Sequence, residues 1–328
     1  MCVWGCGKEA FITEDIQYTN GDITIGARLY IPSDAKPTTA VIMVPSAEAD
    51  TRETFAEYGE QLASRGLAVL CYDKRGAGES TGNIDLSGFE DLYTDAAAGV
   101  RYLQESPGLS LQHIGLMGHS QGGMYVFLAD TMNTDVDFVI DFSGSPGTPL
   151  AQSHYNIYTR ITGLGGSATY ATDLANLMDA YIIYLHTREN YDSLKLEWQR
   201  LQKHPERSLA DAIHYFDQFN HFFPSAEMPP LKETPMYPFM RSYSYRAAAC
   251  IPHISIPALV IYGSEDKVIP AMACADSIRV LQRSQPLLDL RIYAGANHGM
   301  KIKYAGRAVF PETYFDDVYA WIIAHTER

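Results

Sequence analysis

GLMGHSQGGM, residues 115–124, sets one serine, Ser120, between Gly118 and Gly122, directly after a run that reads as a strand. Glycine weakens the interior of a strand or a helix, so two of them here point to a backbone too tight to admit a Cβ. Gly118-His119-Ser120-Gln121-Gly122 fits G-x-S-x-G, a strained strand-to-helix turn that exposes a nucleophilic serine. Five residues match by chance often. The context makes the match specific: HIGLMGH (113–119) reads as a strand and GGMYVFLADTM (122–132) as a helix. The competing reading is a Gly-rich turn with an ordinary serine.

Outward from Ser120 the chain alternates strand and helix. TAVIMVP (39–45) and LAVLCYD (67–73) are near-continuous apolar runs, as expected of strands covered on both faces. Between them, Phe55, Tyr58 and Leu62 keep helical spacing and Gly66 supplies the stop. Leu92, Ala96, Val100 and Leu103 make one stripe of the next helix. VDFVIDFSG (136–144), PALVIYGSED (257–266) and LLDLRIYAGANHG (287–299) read as further strands, and Tyr314, Val318, Trp321 and Ile322 as the apolar face of a closing helix. Upstream, Ile23, Ile25, Ala27 and Leu29 alternate toward Pro32, which predicts a half-buried strand in an antiparallel opening. The expected fold class is α/β, with a mostly parallel, doubly covered sheet.

From about Pro146 to Cys250 no convincing strand occurs. Leu174, Leu177, Met178, Tyr181 and Leu185 form one amphipathic stripe, Leu194, Trp198 and Leu201 a second, and Leu209, Ile213, Phe216 and Phe219 a third. A Pro-rich connector, PSAEMPPLKETPMYP (224–238), leads back to the sheet. The expected organisation is a core from residues 1–145 and 251–328, with 146–250 as a helical insertion.

A serine hydroxyl needs a base to become a nucleophile, and the base needs a carboxylate to orient it. Asp266 lies just past one predicted strand and His298 just past the last, giving the order Ser, Asp, His. The C-terminal ends of parallel strands share one edge of the sheet, where such residues converge. Asp266 competes for the acid role with Glu265 and with Asp141, which ends the strand before the insertion.

YDKRGAGESTG (72–82), GHSQGG (118–123), IPALVIYGSEDKVIP (256–270) and GANHGM (295–300) together resemble the α/β-hydrolase superfamily, in particular its serine esterase and dienelactone-hydrolase-like branch. The resemblance spans most of the chain outside the insertion and implies Ser120, His298 and Asp266 as a catalytic triad. It implies a structural role for Arg75 and places a helical cap where the insertion falls. Many relatives carry His-Gly at the loop after the third strand, whereas this chain has VPSAEAD (44–50), and Pro45 has no N–H to donate. Matched by position, the oxyanion hole is the backbone N–H of Ala47 together with that of Gln121, with Ser46 and Glu48 placed to alter its geometry.

The expected function is therefore a serine hydrolase that cleaves an ester, or an amide or thioester, through an acyl-enzyme. Ten of the 22 tyrosines lie between residues 150 and 250, which suits a bulky apolar or aromatic substrate, although any one of them is as readily a core residue. The insertion's His154, His214 and His221 are ordinary histidines unless they reach that substrate. Two other readings stay open: hydrolysis of a carbon–carbon bond or a lyase-like reaction, and a ligand-binding receptor with little or no turnover.

No metal or organic cofactor is expected. With 25 basic and 39 acidic residues the formal charge is −14, which repels nucleic acid and anionic lipid, so the expected partner is a small-molecule substrate. The five scattered cysteines, Cys2, Cys6, Cys71, Cys250 and Cys274, suggest reduced thiols. With no secretory leader at the start of the chain and no apolar run long enough to span a bilayer, the expected location is cytoplasmic. The oligomeric state stays open, a homodimer included.

Overall fold

A computed structural model describes residues 10–34, 36–106, 108–215 and 230–327. Eight strands form one sheet: β1 (Phe11–Asn20), β2 (Ile23–Pro32), β3 (Thr39–Val44), β4 (Ala68–Tyr72), β5 (His113–His119), β6 (Phe138–Phe142), β7 (Ala258–Gly263) and β8 (Leu288–Tyr293). Their order is β1-β2-β4-β3-β5-β6-β7-β8. The first two strands and the β2–β4 pair are antiparallel, and every later pairing is parallel. This is the α/β-hydrolase fold.

Strand alternation sorts the side chains onto two cores. On β3, Ala40, Ile42 and Val44 face a core shared with helix α2 (Phe89–Glu105), while Val41 and Met43 face one shared with α1 (Ala56–Ala63). The same division holds on β7, where Val260 and Tyr262 join the first core and Leu259 and Ile261 the second. Strand β2 is buried on both faces: Ile25, Ala27 and Leu29 enter the first core, but Tyr30 enters the second, where a polar face had been expected. The run after Ser120 is not one helix. It breaks at Val126–Phe127 into α3 (Gln121–Tyr125) and α4 (Leu128–Thr131), both lodged in the first core.

Between β6 and β7 the described residues are helical, with no strand. They comprise α5 (Pro149–Gly163), α6 (Ala168–Thr187), α7 (Tyr191–Gln202), α8 (Arg207–Ala212) and the single turns α9 (Pro238–Arg241) and α10 (Ala247–Cys250). Leu174, Leu177, Met178, Tyr181 and Leu185 are buried in a third core of their own, together with Leu194, Leu201 and Ile213. Phe216, Phe219 and His221 of the predicted insertion lie outside the described residues, as do Cys2, Cys6 and the first part of the Pro-rich connector. Helices α11 (Ala271–Gln282) and α12 (Tyr314–Thr326) close the two faces of the sheet, and a small hairpin, β9 (Ile302–Tyr304) with β10 (Arg307–Val309), precedes α12. Among the described residues, no helix is long and apolar enough to cross a membrane.

Candidate active site

Ser120 is the residue between β5 and α3, with φ 52° and ψ −110°. A non-glycine side chain in that region is strained and persists only where its surroundings over-determine it. Here they do. A Cβ on Gly118 would lie 2.4 Å from the backbone carbon of Gly122, and one on Gly122 would lie 2.4 Å from the carbonyl oxygen of Val44. The next glycine, Gly123, is pressed onto Asp141, whose Oδ1 would stand 2.0 Å from an added Cβ. The glycines thus let the turn close against both neighbouring strands, and the backbone N–H of Ser120 donates to the carbonyl of Phe142 at 2.9 Å.

His298 follows β8 and Asp266 follows β7. Their loops are pressed together: a Cβ on Gly263 would lie 2.3 Å from the carbonyl oxygen of Ala296, to which the Glu265 N–H donates at 2.9 Å. That contact sets His298 Nδ1 2.7 Å from Asp266 Oδ2. The other carboxylate oxygen accepts the backbone N–H groups of Val268 at 2.7 Å and Ile269 at 3.1 Å, so the acid is held on both sides. With Nδ1 donating to the carboxylate, the neutral imidazole keeps its Nε2 lone pair free to take a proton. The rival Glu265 is exposed beside Lys267, 3.4 Å away.

Asp141, the alternative acid, is not placed on His298. It is buried beneath the elbow, accepting the Gly144 N–H at 2.7 Å, and burial pushes its carboxyl up to about 8, with that hydrogen bond acting in the opposite sense. A largely neutral acid under Gly123 packs against the turn; it is the wrong partner for an imidazolium.

Two supports escaped the sequence reading. The carbonyl of His298 accepts from Ser143 Oγ at 2.7 Å and lies 3.1 Å from His119 Nε2. Burial, and then the neighbouring His298, push His119 down to about 4, so it is neutral and its Nε2 carries the proton it donates. Its ring stacks on Phe142 at 4.7 Å. His119 stood inside the elbow motif, but nothing in the pattern said where its ring would point.

Ser46, Ala47, His119, Ser120, Gln121 and His298 all open onto one cavity of about 490 Å³. Neither the Ala47 nor the Gln121 backbone N–H has an acceptor among the described residues. Helix α5 lines the cavity with Gln152, Ser153, Asn156, Ile157 and Arg160, and Ile182, Ile213, Phe239, Met240 and Val268 add apolar surface to it. Of the tyrosines expected to form an aromatic wall, Tyr215 and Tyr237 reach the cavity, while Tyr170, Tyr181 and Tyr184 pack the third core. His154 pairs with Asp179 at 3.0 Å, and neither it nor His214 lines the cavity. Arg75 is structural, with a two-pronged pair to buried Asp95 on α2 at 2.8 Å. Among the described residues, no cluster of His, Cys, Asp or Glu has the arrangement of a metal site.

Comparison with known proteins agrees with this fold. Residues 36–152 match the serine aminopeptidase S33 family model, and 233–317 match the dienelactone hydrolase family model. No curated protein sequence matches the chain. Among solved structures, an esterase from Pyrococcus furiosus is similar at 16% identity with a TM-score of 0.61, over 96% of this chain and 92% of that one. Est1E from Butyrivibrio proteoclasticus, solved with ferulic acid bound, is similar at 17% identity and TM-score 0.58, over 95% and 100%. A proline iminopeptidase from Mycobacterium smegmatis gives 16% and 0.58, over 96% and 99%. The elbow, the sheet order and two family models, each matching less than half of the chain, together support a member of the α/β-hydrolase superfamily.

Proposed function

We propose that this hydrolase cleaves carboxylic esters through a serine acyl-enzyme, with Ser120 as nucleophile, His298 as base and Asp266 as its orienting acid. The observation that carries the reading is the strained serine opening onto the same cavity as an imidazole whose Nδ1 is tied to a doubly held carboxylate. His298 Nε2 takes the Ser120 proton as Oγ attacks the ester carbonyl, and returns it to the leaving alcohol. The negative charge that develops on the carbonyl oxygen is met by the free N–H groups of Gln121 and Ala47. Water then repeats the sequence on the acyl-enzyme.

The helices of 146–250 act as the cap of this site, and the mixed lining they give the cavity describes the substrate. An apolar group packs against Ile182, Phe239 and Met240, while a hydroxyl or similar polar substituent meets Gln152, Asn156 and Arg160 of α5. Hydroxylated aromatic esters have that character, and the ferulic acid bound by Est1E is consistent with it. The test is hydrolysis of aryl esters with and without a ring hydroxyl, by wild type and by Ser120→Ala and His298→Ala. The reading predicts a loss of at least about 10⁴-fold in kcat for either variant. Turnover that survives in Ser120→Ala would end it.

A further inference from the structure

Lysine is among the residues least often fully buried, yet Lys74, two residues past β4, is 1% exposed. Its ammonium group has three N–H donors, and three acceptors surround it: the carbonyl of Ser46, the carbonyl of Glu48 at 3.3 Å and Gln121 Oε1 at 2.8 Å. Two of these lie in the loop after β3, and the third belongs to the residue that follows the nucleophile.

The Ser46 carbonyl is one end of the peptide unit whose other end is the Ala47 N–H. In a trans peptide the C=O and N–H point in opposite directions, so a cation that holds the carbonyl turns the N–H away from itself. Ser46 is held from its other side as well, because its own N–H donates to Asp50 Oδ2 at 2.6 Å. The Ala47 N–H is thereby fixed in direction while keeping no acceptor of its own, and a charged donor on the carbonyl polarises the peptide toward stronger donation at its N–H.

We infer that Lys74 is a positioning residue that sets the oxyanion hole, fixing the Ala47 N–H through the Ser46 carbonyl and tying that loop to Gln121. The inference rests on the serine-hydrolase reading above. Burial draws the Lys74 amine down to about 8, against the opposing pull of Asp50 and Glu48, which are the charged groups facing it. A neutral amine has two N–H groups for three acceptors, and its lone pair faces an oxygen. The clamp therefore loosens as pH rises through that range.

The experiment is kcat and KM for a Ser120-dependent aryl ester from pH 6 to 9.5, with wild type, Lys74→Met and Lys74→Gln. Wild type is expected to lose kcat on an alkaline limb near pH 8. Lys74→Met is expected to lower kcat about 10- to 100-fold at pH 7 with KM changed less than about threefold, and to lack that limb. Lys74→Gln, which keeps one donor, falls between them and replaces the Met variant if the latter does not fold. A Lys74 variant with wild-type kcat, or wild-type kcat flat to pH 9.5, overturns the inference and leaves the serine-hydrolase reading standing. Wild type without Ser120-dependent turnover overturns both.

Discussion

At the scale of single residues, the site depends on side chains that are missing. Gly122→Ala would put a Cβ against the backbone oxygens of Val44 and Pro45, at 2.4 and 2.5 Å, and backbone cannot step aside as a flexible side chain can. The expected cost is about 1–3 kcal/mol or more, read from urea unfolding, together with lost turnover. Asp141 makes a second prediction. Its folded-state pKa is raised from 3.8 to about 8, so between these values the folded protein binds a proton that the unfolded chain has released. Stability from this group is therefore complete below about pH 4 and falls as pH rises toward 8, by at most about 1.4 kcal/mol per unit. Asp141→Asn, which keeps an acceptor for Gly144, should gain stability relative to wild type as pH is raised from 5 to 8, followed by melting temperature. A pH-independent difference would contradict the assignment of a protonated acid beneath the elbow.

At the scale of elements, what the sequence made legible were the buried, periodic ones. Strands β3, β4 and β7 are buried along their whole length and almost wholly apolar because both faces are covered, and the stripes of α2, α6 and α12 are the buried residues the spacing named. Strand β1 gave no such signal, since it is an edge strand with six of its ten residues polar or charged, and β9 and β10 are three residues each and largely exposed. The break between α3 and α4 was hidden for the opposite reason: residues 121–129 are buried throughout, so no change of polarity marks it. The proposed triad residues stood out in the sequence because each follows a strand whose direction is fixed, and the structure sets His298 on Asp266. Lys74 was not, because a buried lysine carries no pattern and its role depends on two loops meeting. Helices α5–α8 have their own core, which leads to a prediction at this scale. Leu174→Ala should cost about 2–5 kcal/mol within that unit and speed limited proteolysis inside 146–250 before any cut in the sheet. Simultaneous cleavage of both regions would show that they open together.

At the scale of the molecule, two cores cover opposite faces of one sheet, and the helices between β6 and β7, with a third core of their own, share one cavity with the loops at the end of the strands. Ser120, Asp266 and His298, distant in sequence, thereby share the C-terminal edge of the parallel strands. On the proposed reading this assembly activates one serine, Ser120. Intact mass after treatment with a small fluorophosphonate tests it most directly, on wild type, Ser120→Ala and His298→Ala. One adduct per wild-type chain is expected, mapped to Ser120 and absent from both variants. Folded wild type that takes up no probe, or a His298→Ala variant that labels as fast as wild type, would contradict it.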